Sequence, residues 1–236
     1  MEVYVFDMDG TLTPPRLPMT TDFASRFLLW QKDHLSYIAT GSDIEKLREQ
    51  LPKNVIEAFT VLYCSMRNIL FVNGEEVYRK DFVMPESLRE RLEIYRKVTK
   101  YPGTKYPNYI ENRIGMTNFS VLGRNCPYSA REEYGVWDKK FSERAQIRDA
   151  LARDYPDLEF ALGGAISIDI TPKGCGKGQI AHHLRKTYPE AKIVFMGDCT
   201  MEGGNDYELA NELMTYANTA VCQVSGPAEV RTILGI

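Results

Sequence analysis

The chain carries no cysteine framework. Its five cysteines, at positions 64, 126, 175, 199 and 222, form no C-x-x-C pair and leave one over. That excludes a fully paired disulfide scaffold and fits free thiols in a reducing compartment. No apolar run approaches the roughly 20 residues that a membrane-spanning helix needs. The first residues offer neither the basic stretch nor the apolar core of a leader peptide. There is no internal repeat and no low-complexity segment. Positive charge is not in excess either, since the net charge is -3, so no global field gathers nucleic acid. The expectation is a soluble, cytoplasmic protein with neither nucleic acid nor membrane as partner. What remains is 236 residues, 44% hydrophobic and 26% charged, enough for a sizeable core in one large domain or two small ones.

The most informative stretch is Val3-Tyr4-Val5-Phe6-Asp7-Met8-Asp9-Gly10-Thr11-Leu12-Thr13. Val3 to Phe6 read as a buried parallel strand closed by a turn. In open α/β sheets the reactive crevice lies beyond the carboxyl ends of such strands. Two carboxylates there suit a hard cation of the Mg²⁺ kind. One of the pair could attack phosphorus while the other moves a proton.

The first third alternates strand and helix. A helix is expected over 20–33, a strand over 35–39, a helix to about Leu51, short strands near Leu62 and over 69–72, and a hairpin at Asn73-Gly74. Ser42-Asp43-Ile44-Glu45 reads as a capping box with Ser42 as the helix cap. The middle shifts to a helix from Pro85 to about Lys100, strands within 109–121, a helix from about Lys140 to Asp154, and strands over 158–170. The last third returns to alternation, with helices over 177–188 and 207–214 and strands over 192–196 and 219–224. The expected fold is α/β: a Rossmann-like parallel-sheet core, residues 1–78 and 175–236, interrupted by an inserted α+β cap, residues 79–174.

Three later features complement the aspartates. Thr40 ends the second strand, where a hydroxyl can bond a phosphate oxygen; Ser42 competes, but capping the helix occupies it. Lys177 sits at a helix start, unfavourable with the macrodipole unless it neutralises a phosphate and carboxylates there. Lys173 reads as solvated. Asp198 follows an apolar strand as Asp7 does, and can complete an oxygen-only metal site. Gly203 and Gly204 allow a tight turn beside it, with Asn205 and Asp206 as orienting groups.

These motifs, in this order, resemble those of the haloacid dehalogenase superfamily, in its α+β-capped branch. The resemblance implies that Asp7 is the nucleophile and forms an aspartyl-phosphate. It implies that Asp9 is the general acid/base and lends a backbone oxygen to Mg²⁺, with Asp7 and Asp198 as side-chain ligands.

The cap adds a substrate. In Ile166-Ser167-Ile168-Asp169-Ile170 the isoleucines alternate with Ser167 and Asp169, which share the opposite face and suit sugar hydroxyls. Arg113, Arg124 and Arg131 gather around one strand region and could fork a second phosphate. The runs Ile114-Gly115-Met116-Thr117-Asn118, Gly123-Arg124-Asn125-Cys126, Arg131, Gly163 to Asp169 and Pro172 to Lys177 resemble the cap of the eukaryotic-type α-phosphomannomutases, and Thr13-Pro14-Pro15-Arg16 resembles that family's T-x-x-R. The chain departs from the family's usual residues at Ile114, at Thr40-Gly41 and at Cys175-Gly176. By this resemblance Arg16, Arg113, Arg124, Arg131, Ser167 and Asp169 hold a hexose phosphate. The implied reaction is Mg²⁺-dependent interconversion of mannose 6-phosphate and mannose 1-phosphate with a hexose bisphosphate activator, in a homodimer formed through the cap. The alternative is a sugar-phosphate phosphatase of the same superfamily.

Overall fold

The computed structural model describes all 236 residues. The chain divides into two compact units, Met1–Lys80 with Cys175–Ile236, and Asp81–Gly174. In the first unit, β1 (Glu2–Phe6), α1 (Thr21–Gln31), β2 (Leu35–Ala39), α2 (Ile44–Gln50), α3 (Lys53–Ala58), β3 (Val61–Cys64), β4 (Ile69–Val72) and β5 (Glu75–Arg79) follow in order. The second unit contains α4 (Glu86–Val98), β6 (Ile110–Arg113), β7 (Met116–Phe119), α5 (Tyr128–Phe141), α6 (Glu143–Asp154), β8 (Leu158–Gly163) and β9 (Ser167–Pro172). The chain then completes the first unit with α7 (Gln179–Thr187), β10 (Lys192–Gly197), α8 (Tyr207–Met214), β11 (Thr219–Gln223) and α9 (Pro227–Leu234).

The first unit holds one sheet in the order β11-β10-β1-β2-β3-β4-β5. Its first five strands run parallel and the last two form an antiparallel edge. The apolar run of β1 is continuous because both faces are covered. Val3 and Val5 share a cluster with Ile180, Ala181 and Leu184 of α7 and Leu209, Ala210 and Leu213 of α8. Phe6 points the other way and meets Phe27 and Trp30 of α1 edge to face, at 5.3 and 5.8 Å between ring centroids. Each such fully buried side chain contributes roughly 1.5–3 kcal/mol. β1 and β10 are in register, Phe6 opposite Met196, so their carboxyl ends arrive together at Asp7 and Asp198. Asn73 and Gly74, at φ 49° and 83°, make the two-residue turn between β4 and β5.

The second unit is a four-stranded antiparallel sheet, β6-β7-β9-β8, with helices α4, α5 and α6. Ile166, Ile168 and Ile170 are buried in one cluster with Leu88 and Leu92 of α4, Tyr134 of α5 and Leu151 of α6.

Three local expectations need correcting. Asp43, not Ser42, caps α2: its carboxylate accepts from the Lys46 N–H at 2.9 Å. The two cap-forming residues are adjacent, and the helix begins one residue later than expected. α7 begins at Gln179, so Lys177 lies in the turn before it. The middle unit also contains α5, where no helix was expected; it buries only Ala130, Tyr134 and Asp138, a stripe too narrow to announce itself.

Candidate functional site

Asp7 leaves the end of β1 fully interior, and its N–H donates to Met196 O at 2.9 Å. The Lys177 ammonium, just as buried, reaches back to Asp7 Oδ1 at 2.6 Å and also pairs with Asp206. Asp206 in turn accepts from the Cys199 N–H at 3.3 Å, which ties the Gly-rich loop after β10 to the cluster. Asp7, Asp198 and Asp206 each present a carboxylate oxygen within 4.8 Å of the others. Two glycines make room. A Cβ on Gly10 (φ 84°) would lie 2.3 Å from Asp198 Oδ2, and one on Gly197 would lie 2.5 Å from Asp206 Oδ2.

Three carboxylates against one ammonium leave negative charge uncompensated. Burial, then Asp206, raise the Asp7 pKa, against the pull of Lys177. Burial also raises Asp198. Burial works against the charge on Lys177, but Asp206 and Asp7 outweigh it and hold the ammonium protonated. Asp7 Oδ2 is buried with no hydrogen-bond partner. An orphaned carboxylate oxygen in an all-oxygen cluster is the donor chemistry a hard divalent cation takes, so these residues fit Mg²⁺.

The Asp9 side chain is not part of this cluster. Its Oδ1 accepts from the Arg16 N–H at 2.9 Å and from Gln50 Nε2 at 3.1 Å. Gln50 had no signal in the sequence. It is an amide at the end of α2 that fixes Asp9 from 41 positions away, and its Oε1 also accepts from Thr13 Oγ1 at 3.3 Å. Arg16 is exposed, in left-handed backbone at φ 63°. Thr40 is buried, and its hydroxyl oxygen accepts from the Ser42 N–H at 3.0 Å, which leaves the hydroxyl hydrogen available to donate. Ser42 therefore acts on Thr40 through its backbone. Asn205 is exposed, and its neighbour Asp206 is the one that pairs with Lys177 beside Asp7 and Asp198.

In the second unit, Arg113 and Arg124 meet on one residue that the sequence did not single out, and Arg124 links Ser167 and Arg131 to them. Glu111 accepts from Arg113 Nε at 3.0 Å and pairs with Arg124 Nε at 2.7 Å. Arg124 also donates to Ser167 Oγ at 2.9 Å, and Arg131 to the Arg124 carbonyl at 2.9 Å. Burial raises the Asp169 pKa, opposed by a hydrogen bond from Asn118 and by Arg113 and Arg124. The buried pair Arg144–Asp138, 2.7 Å apart, braces the Gly164 and Ser167 carbonyls, to which Arg144 Nη1 donates at 2.8 and 3.1 Å.

The fold resembles a haloacid dehalogenase-like hydrolase from Bacteroides thetaiotaomicron, with a TM-score of 0.60 at 13% identity over 98% of this chain and 91% of that one. Among curated proteins, the chain is 33% identical to a phosphomannomutase of Dendrobium officinale over 92% of this chain and 88% of the relative. It is 32% identical to the phosphomannomutase of Saccharomyces cerevisiae over 87% of this chain and 83% of the relative. The family described as eukaryotic phosphomannomutase matches residues 28–235, a span that takes in Thr40, the whole arginine cluster, Lys177 and Asp198. On that match and those identities, this chain belongs to the eukaryotic phosphomannomutase family.

Proposed function

We propose that this protein is a Mg²⁺-dependent phosphomannomutase that works through an aspartyl-phosphate on Asp7. The observation that carries the proposal is the buried Asp7–Lys177–Asp206 group with one Asp7 oxygen left unbonded, in a chain of this family. The first unit serves as the catalytic core, and the second recognises the substrate.

In the first half-reaction a carboxylate oxygen of phospho-Asp7 gives up its phosphoryl group. The P–O bond to Asp7 breaks as a hexose hydroxyl bonds to phosphorus, and Asp9 takes that hydroxyl's proton. In the second, Asp7 attacks the other phosphate of the bound hexose bisphosphate, and Asp9 returns the proton to the leaving oxygen. Lys177 neutralises charge on the Asp7 side, and Thr40 donates its hydroxyl hydrogen to a phosphoryl oxygen. Asp7 and Asp198 by their side chains, and Asp9 by its carbonyl, would hold Mg²⁺, which when bound offsets the charge of the transferring group. Asp206 keeps Lys177 in place. Arg113, Arg124 and Arg131 grip the non-reacting phosphate bidentately. Ser167 and Asp169 take sugar hydroxyls, and Arg16 contacts the substrate. The protein is active in the cytoplasm, as a homodimer formed through the second unit, where Tyr128 and Val136 of α5 are exposed.

The test is product analysis on mannose 1-phosphate with a trace of hexose bisphosphate. Mannose 6-phosphate is the expected product. Free phosphate alone would mean that water, not a sugar, takes the group from Asp7, and would make the protein a sugar-phosphate phosphatase.

A further inference from the structure

The turn after β3 is strained. Ser65, Met66 and Arg67 are consecutive non-glycine residues at φ 48°, 61° and 74°. Left-handed backbone costs such residues about 1–2 kcal/mol each, and such strain persists only where the surroundings over-determine it. Here they do, from two directions.

On one side the turn is hooked to the Thr40 loop. Ser65 N–H donates to Ser42 O and Met66 N–H to Thr40 O, both at 2.9 Å. Thr40 N–H donates to Tyr63 O at 2.9 Å, so three backbone ties from β3 and the turn hold the loop in which Ser42 N–H, donating to the Thr40 hydroxyl oxygen, aims that hydroxyl.

On the other side the turn is clasped by Asn68, which has no exposed surface. Asn68 Nδ2 donates to Ser65 O at 2.8 Å and to Cys175 O at 3.1 Å. The Asn68 backbone carbonyl accepts from the Lys80 N–H at 2.7 Å. Lys80 and Cys175 are the residues at which the chain leaves the first unit and returns to it. Gln179 repeats the pattern: its Nε2 donates to Met66 O at 2.7 Å and to Cys175 O at 2.9 Å, while its Oε1 accepts from Arg67 at 3.2 Å. One side-chain amide alone would satisfy stray carbonyls. Two amides converging on one strained turn, and both reaching Cys175, make a frame.

We propose that Asn68, supported by Gln179, is a positioning residue for the transferring phosphoryl group: its side chain locks the Ser65–Arg67 turn so that the turn's N–H groups fix the Thr40 loop, and ties that lock to Cys175, where the chain returns to the first unit. The proposal rests on the phosphoryl-transfer role of Thr40 given above, and not on the identity of the hexose. Asn68 touches no reacting atom; it acts through Thr40.

The experiment is a pair of double-mutant cycles, Asn68→Ala and Gln179→Met, each alone and combined with Thr40→Ala. The readout is the Mg²⁺-dependent hydrolysis of a small aryl phosphate, normalised to folded protein and accompanied by melting curves. Misplacement of an aligned group can cost up to about a hundredfold in rate. The expected result is a loss of about tenfold in kcat for each single variant and less than twofold in the Thr40→Ala background, since coupled residues are not additive. A tenfold loss that persists undiminished beside Thr40→Ala overturns the proposal. So does a lowered melting temperature with kcat unchanged, which is the outcome of a merely structural amide. Undiminished turnover in Thr40→Ala alone also overturns it, by removing the residue through which Asn68 acts. If Asn68→Ala does not fold, the Gln179→Met cycle decides alone. An aryl phosphate is no sugar, so a failure to convert mannose 1-phosphate leaves this test standing.

Discussion

Gly10 and Asp198 occupy one space: the position a Cβ would take on residue 10 lies 2.3 Å from an oxygen of the Asp198 carboxylate. Gly10 also needs φ 84°, which an L side chain resists. Gly10→Ala should therefore displace Asp198 rather than simply strain the turn. The expected outcome is a stability loss of about 1–3 kcal/mol with a larger proportional loss of Mg²⁺-dependent turnover, read by urea unfolding beside kinetics at several Mg²⁺ concentrations. A stability loss with unchanged Mg²⁺ dependence would separate the glycine from the cation site.

Asp7→Asn should abolish turnover, because an amide does not attack phosphorus, and leave the fold intact, because Asp206 still pairs with Lys177. Circular dichroism and a steady-state assay check both halves. Measurable turnover would mean that another group is the nucleophile.

Three neighbouring carboxylates repel one another until a cation joins them. Mg²⁺ should raise the melting temperature of the unmodified protein, as any ligand of the folded state does. Asp198→Asn should largely remove that increment while raising the melting temperature measured in chelator. Equal Mg²⁺ increments in both proteins would take Asp198 out of the ligand set.

Arg124→Ala and Arg131→Ala should weaken hexose-phosphate binding by more than they impair hydrolysis of a small aryl phosphate. A lost charge-assisted hydrogen bond costs roughly 1.5–3 kcal/mol, or about ten- to a hundredfold in KM. Glu111→Gln should do the same to a smaller degree, since Glu111 joins the Nε edges of Arg113 and Arg124. Equal losses on both substrates would move the arginines out of the substrate site.

His183 carries a pH dependence unrelated to catalysis. It is half-buried against Tyr63, 2.9 Å from the phenol oxygen. Burial, then Arg67 and Lys186, hold its pKa below the usual 6.5. The folded state thus binds that proton less readily than the unfolded chain, so stability is intact above about pH 6.5 and declines as pH falls toward the depressed folded value. His183→Gln should lose less stability between pH 7.5 and 5.5 than the unmodified protein, by chemical denaturation at each pH. Identical slopes would exclude His183 as a source.

The meeting of Asp7 and Asp198 was legible because each sits where an apolar run stops, and strand ends converge at one edge of a parallel sheet. Lys177 was legible through its misfit with a helix start, although the helix begins two residues later than expected. Ser42 was misread because it and Asp43 can each cap a helix, and only the backbone decides between neighbours. Gln50 and Glu111 left no trace, since what they hold is remote in sequence or set by which edge of an arginine faces them. Helix α5 was hidden by Gly135 in its middle and by a buried stripe of one residue per turn.

The antiparallel hairpin that ends the first unit's sheet has a bearing on how this protein survives in a crowded solution. Every residue of β5 is exposed, and its outer edge would invite another chain to add a strand. The segment Glu75-Glu76-Val77-Tyr78-Arg79-Lys80 answers with charge on four of its six positions, and β4 and β5 slip register between Leu70 and Phe71, which twists the rim away from a flat template. Replacing Glu75, Glu76 and Arg79 with β-branched residues would leave the reaction untouched and make aggregation the protein's first failure.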